Sequence, residues 1–160
     1  AAVLNVLTDM FEYVVCDGPL RFDVSSRAIL DMADMTFIVM HLVVTWVRNV
    51  DRFIRELGSQ GYNLDRLHVV INRYGKDYST LHPEDAEQTL NRKIFWLVPN
   101  DWKFVSNSIN MGQPLLMIAP KSKVRESIQG LALKIHDPQA YQQKADGEVK
   151  SGLLAKVLGR

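Results

Sequence analysis

Four short apolar runs punctuate this chain, Tyr13–Cys16, Met35–Met40, Leu67–Ile71 and Ile94–Val98, and the segments between them repeat apolar residues at helical spacing. Runs this short do not make ordinary helices. Being apolar on both faces, they suit strands covered by helices on each side. The first, third and fourth end in turn chemistry: Asp17-Gly18-Pro19, Asn72-Arg73-Tyr74-Gly75-Lys76 and Pro99-Asn100-Asp101. Strand then helix, four times over, predicts an α/β fold with a parallel sheet flanked by helices. Ligands of such sheets sit outside the carboxyl ends of the strands. Asp17, His41 to Thr45, Asn72-Arg73 and Pro99-Asn100-Asp101 are therefore the candidates for function.

The helical stripes are equally plain. Val3, Leu4, Leu7, Met10 and Phe11 open the chain with a helix. No capping residue and no starting Met precede it, so the chain is expected to be the later part of a longer polypeptide, incomplete at its N-terminus. Val24, Ala28, Ile29 and Met32 form a second stripe. The strongest helix carries Val43, Val47, Val50, Ile54 and Leu57 on one face and Arg48, Asn49, Asp51, Arg52, Arg55 and Glu56 on the other, with Gly58 and Gly61 to end it. Pro83 suits a first helical turn. A helix from Asp101 closes at Gly112-Gln113-Pro114, and Val124, Ile128, Leu131 and Ile135 stripe the last long one. Residues 1–136 read as one domain part, 137–147 as a linker, and 148–160 as an amphipathic tail.

Composition narrows the function. The 160 residues carry 19 Lys plus Arg against 18 Asp plus Glu, a net charge of +1, so charge-driven nucleic-acid binding is not expected. One cysteine cannot staple a fold or build a Cys zinc site, which leans towards a reducing compartment. No apolar run reaches the ~18 residues of a membrane span. A cytoplasmic chain is expected.

Several side chains have two readings. Asp17 closing an apolar strand is a turn residue or a Walker B carboxylate, which holds magnesium directly or through water beside nucleotide phosphates. Asn72-Arg73 is a turn or an amide offered to a nucleobase edge. Pro99-Asn100-Asp101 is most simply a strand-to-helix turn with an N-cap. Cys16 reads as a buried inert thiol, and Trp46, Trp96 and Trp102 as core. The four histidines sit on different elements without ligand spacing, and no nucleophile elbow or Gly-x-x-x-x-Gly-Lys-Ser/Thr loop is present.

In order along the chain, Tyr13-Val14-Val15-Cys16-Asp17-Gly18-Pro19, Ala33-Asp34 before a strand, and Thr45-x-x-Arg48-Asn49 resemble the MinD/ParA superfamily of P-loop ATPases. Val69-Val70-Ile71-Asn72-Arg73-Tyr74, Ile94 to Asp101, and Ser108-Ile109-Asn110-x-Gly112-x-Pro114-Leu115 resemble its CpaE/TadZ branch, the localisation ATPases of Flp/Tad type IVb pilus assembly. The resemblance implies Asp17 as the Walker B carboxylate on the magnesium side. It places Asn72 and Arg73 at the nucleobase and Pro99, Asn100 and Asp101 on the other side of that pocket. It implies ATP or ADP and magnesium as ligands of the intact protein, with no ligand expected in this chain alone. The family's Walker A loop is absent from the chain. In these ATPases the strand feeding that loop lies between the Walker B strand and the strand matching 35–40, so the sheet implied here lacks a central member.

The resemblance implies ATP hydrolysis coupled to homodimerisation and to pilus or secretion machinery, in the cytoplasm or peripherally at the inner membrane or cell pole. A non-catalytic localisation scaffold on the same fold is the alternative, and a receiver- or flavodoxin-like module is disfavoured because no acidic pair follows a first strand. Arg48 and Arg52 lie on a solvated helix face or, as the branch suggests, at a dimer or partner surface. Leu153, Leu154, Val157 and Leu158 share one face of the tail. That stripe is either a last turn packed on the protein or, as in MinD-type proteins, a weak membrane-targeting helix.

Overall fold

The computed structural model describes residues 2–18, 24–75 and 81–144. The expected tail, with Leu153, Leu154, Val157 and Leu158, lies outside the described residues, as do residues 145–147 of the linker reading. The elements run α1 (Ala2–Met10), α2 (Val24–Met32), β1 (Thr36–Met40), α3 (Val44–Ser59), β2 (Leu67–Tyr74), α4 (Pro83–Leu90), β3 (Ile94–Pro99), α5 (Trp102–Met111), α6 (Leu115–Ile118) and α7 (Lys123–His136), with a 3-10 turn at Leu64–Arg66 before β2. The strands form a parallel sheet ordered β1-β2-β3 with flanking helices. The chain divides into two compact units, Ala1–Val70 with Pro83–Phe95, and Ile71–His82 with Trp96–Arg160.

β2 is the middle strand, and its sequence explains why. Leu67, Val69, Val70 and Ile71 are all buried, as a run apolar on both faces requires when helices cover both sides. Phe37, His68 and Phe95, one from each strand, form a cluster of tilted rings with centroid separations of 5.8, 4.6 and 5.6 Å. α3 buries Val47, Val50, Ile54 and Leu57 of the expected stripe, whereas Val43 is its exposed N-cap residue. Each such side chain contributes about 1.5–3 kcal/mol relative to exposure. Arg92 closes this first unit by donating from Nη1 to the carbonyl of Leu64 at 2.9 Å.

The sheet corrects one expectation. Tyr13–Cys16 does not join it: the run is irregular, Val15 is 93% exposed, and Cys16 is an exposed thiol rather than a buried one. A strand needs a neighbour to satisfy its N–H and C=O groups, and β1, an edge strand among the described residues, does not pair with this run. α1 likewise has no buried residue, and Val3, Val6, Met10 and Phe11 are exposed.

In the second unit α5 ends at Gly112, whose φ of 61° is the left-handed conformation that closes a helix at low cost in glycine. α7 starts on Ser122, whose hydroxyl accepts from the Arg125 N–H. Trp96 donates from Nε1 to Ser127 Oγ at 2.9 Å, and Ser127 donates on to the Leu97 carbonyl, which ties β3 to α7. Residues 138–144, the first part of the linker reading, are helical, and Tyr141 meets the Trp96 ring edge-on at 5.4 Å. Among the described residues no helix is long and apolar enough to cross a membrane.

Candidate functional site

The carboxyl ends of β2 and β3 are joined by one backbone bond: the Tyr74 carbonyl accepts from the Asn100 N–H at 2.8 Å. That bond brings Asn72 and Arg73 together with Pro99, Asn100 and Asp101, five residues that sequence reasoning singled out separately. Asn72 and Arg73 lie inside β2 rather than beyond it. Arg73 has φ 55°, a left-handed backbone in a non-glycine residue, which interrupts the extended conformation near the end of the strand. Asn72 supports this conformation: its Oδ1 accepts from the Arg73 N–H at 2.8 Å. The amide nitrogen of Asn72 makes no hydrogen bond among the described residues, which leaves its two N–H donors open.

Asp101 stands at the N-cap position of α5 yet makes no side-chain cap bond. Its backbone, at φ −140° and ψ 58°, is that of neither helix nor strand, and its carboxylate is left to other partners. Trp102 follows as the first residue of α5 and is 59% exposed, so the core reading of this residue is corrected. The Arg73 guanidinium carbon lies over the Trp102 ring, 5.1 Å from its centroid. This pair escaped sequence reasoning because an indole is assigned to the core by default. The available signal was position: a tryptophan directly after an N-cap, next to Lys103, is poorly placed for the buried stripe.

The first unit holds the remaining candidates, each apart. Asp17 is exposed and accepts no hydrogen bond among the described residues. Arg48 and Arg52 are exposed on α3 without an ion pair among the described residues, whereas Arg55 is paired to Asp51 one turn earlier. Trp46, also expected in the core, is 46% exposed and stacks on His41 at the carboxyl end of β1, with ring centroids 5.4 Å apart. A cavity of about 110 Å³ in this unit is lined by Asp31, Thr36, Tyr62, Asn63 and Arg66. It opens at the amino ends of β1 and β2, the wrong end of the sheet for a strand-end ligand.

No group of three or more His, Cys, Asp or Glu able to cage a metal is present among the described residues. Magnesium needs no such cage: it is commonly held by one or two carboxylates, with water and substrate phosphates completing the shell. A lone exposed aspartate such as Asp17 fits that mode.

No family model matches the sequence. The septum site-determining protein MinD of Thermotoga maritima is 24% identical over 157 residues, covering 96% of this chain and 57% of that protein. Among solved structures, a ParA family ATPase from Chlorobium tepidum matches with TM-score 0.76 at 21% identity, over 82% of this chain and 54% of that one. MinD of Pyrococcus horikoshii complexed with Mg-ADP matches with TM-score 0.69 at 17% identity, over 85% and 55%. This chain spans about half the length of the relatives it matches.

Proposed function

We propose that this chain, a homologue of the MinD/ParA-family P-loop ATPases, is the C-terminal portion of such an ATPase and supplies its nucleobase-reading half. The carrying observation is the Asn100 to Tyr74 backbone bond, which sets the Asn72 amide and Arg73 beside Asn100 and Asp101 at the sheet's carboxyl rim. ATP or ADP is the ligand this reading assigns. Asn72 would meet the base edge, with Arg73 and the Pro99 to Asp101 turn as the pocket walls. Asp17 would hold magnesium, most simply through water. The bound ion would neutralise charge on the β- and γ-phosphate oxygens. The Mg-ADP complex of the P. horikoshii protein supports that ligand pair.

Within this class we place the protein with the CpaE/TadZ-type ATPases that localise or assemble a Flp/Tad pilus secretion machine, on the strength of the motifs from Val69 to Leu115. It acts in this reading as a homodimer in the cytoplasm, peripheral to the inner membrane or cell pole, with Arg48 and Arg52 at the partner surface and the Leu153, Leu154, Val157 and Leu158 stripe as a weak lipid contact. Nucleic acid is not a partner. Replacing Asp17 in the intact protein tests the enzyme. Asp17→Ala is expected to abolish magnesium-dependent ATP turnover and pilus assembly without unfolding. Full pilus assembly by an inactive Asp17→Ala protein would establish the scaffold alternative, and pilus assembly unaffected by deletion of the gene would overturn the pilus reading.

A further inference from the structure

Arg73 and Trp102 hold an uncommon geometry at the carboxyl rim of the sheet. Non-glycine residues rarely adopt the left-handed region, and Arg73 sits there at φ 55°. An exposed cation–π contact is only weakly stabilising. Trp102 is left 59% exposed for it. A sparsely populated backbone kept by its surroundings, here by the Asn72 Oδ1 and the Asn100 to Tyr74 bond, points to a task for the side chain it aims.

We propose that Trp102 backs the Arg73 guanidinium as a flat platform on which a nucleobase stacks. The inference rests on the nucleotide reading above and deepens it, adding Trp102 as a positioning residue that acts through Arg73. A guanidinium is planar and weakly hydrated, so it accepts an aromatic ring on its face while its edge still donates hydrogen bonds. Unbacked, an exposed Arg samples many rotamers. Held over an indole, with the guanidinium carbon 5.1 Å from the ring centroid, it has fewer rotamers open to it. The neighbouring Asn72 amide then supplies the edge contact that stacking alone lacks, since every base has a π-face and stacking is tolerant of base identity.

The test uses the intact protein, with Mg-ADP and inorganic tripolyphosphate as probes with and without a base. By calorimetry, Trp102→Ala and Arg73→Lys are each expected to weaken Mg-ADP binding about 5- to 10-fold, within the range of one base–aromatic stack. Tripolyphosphate affinity should stay within twofold, and Trp102→Phe should recover most of the ADP loss. Unchanged ADP affinity in Trp102→Ala overturns the proposal, as does an equal loss for both probes, which would mark a structural role. Tripolyphosphate binding by a wild-type protein that does not distinguish it from Mg-ADP also overturns the platform. Wild-type protein binding neither probe overturns the nucleotide reading itself.

Discussion

Asn72 holds its neighbour's backbone with one end of its amide and leaves the other end open, so its two roles can be separated by substitution. Asn72→Ala removes both and is expected to raise the Mg-ADP dissociation constant of the intact protein about tenfold, the ~1.4 kcal/mol of one good hydrogen bond. It should also lower unfolding stability by about 1 kcal/mol through the lost Arg73 N–H partner. Asn72→Asp keeps the acceptor and loses the donors. Its stability should match wild type while its ADP affinity falls as far as that of the alanine variant. Calorimetric titration and urea unfolding of the two variants check this, and equal ADP affinity in all three proteins would detach Asn72 from any base. Asn72 and Asp101 were legible in the sequence because position alone, at the end of an apolar run, nominates them. The left-handed turn at Arg73 was not, since that turn is stabilised by Asn72 Oδ1 and by a bond between strands far apart in sequence. Nor was the exposure of Trp102, which depends on what packs beside it.

Between α4 and β3 the carboxylate of Glu87 accepts from Lys93 Nζ at 2.6 Å and from the Ile94 N–H at 2.9 Å. The bond to Lys93 and then that to the backbone hold Glu87 below its ordinary carboxylate pKa. A depressed carboxylate stabilises the folded state above its unfolded pKa of about 4.3 and loses that contribution as pH falls further. Urea unfolding of wild type should therefore show a loss between pH 5 and pH 3 that Glu87→Gln reduces, because the amide still accepts from Ile94 but no longer titrates. An identical acid loss in both proteins would refute it. A second element-scale test lies in α7. Gly130 sits where an added Cβ would come within 3.1 Å of the Trp96 ring. Helix propensity favours Gly130→Ala by about 1 kcal/mol. The ring is pinned by Ser127 and Tyr141, so no gain in stability is expected, and a gain of that full size would show that Trp96 yields. Strands and long helices at this scale followed from periodicity. Tyr13–Cys16 did not become a strand because pairing is a property of neighbours, and the α6 turn escaped because four residues carry no period.

For the chain as a whole, the described residues hold a sheet with an unpaired rim at β1, an apolar helix α1 with no buried residue, and an apolar run at Tyr13–Cys16 outside the sheet. Phosphate affinity in P-loop proteins comes from the loop's backbone N–H groups and lysine, and no such loop occurs in these 160 residues. The 160-residue chain by itself is thus expected to bind Mg-ATP weakly or not at all, and micromolar binding in calorimetry would contradict this. The α/β class was readable from alternation alone, whereas the two compact units were not, since the cut passes through β2 and β3 and leaves no mark in composition. The bond between Asn100 and Tyr74 has a consequence for descent. It is made by main-chain atoms, so among the common residues only proline at position 100 would delete it. The side chains at 72, 73, 101 and 102 can drift while the spacing of the rim is inherited intact. A lineage released from selection for its ligand would therefore lose recognition long before it lost shape, and its members would still look like nucleotide-binding proteins to any comparison of folds.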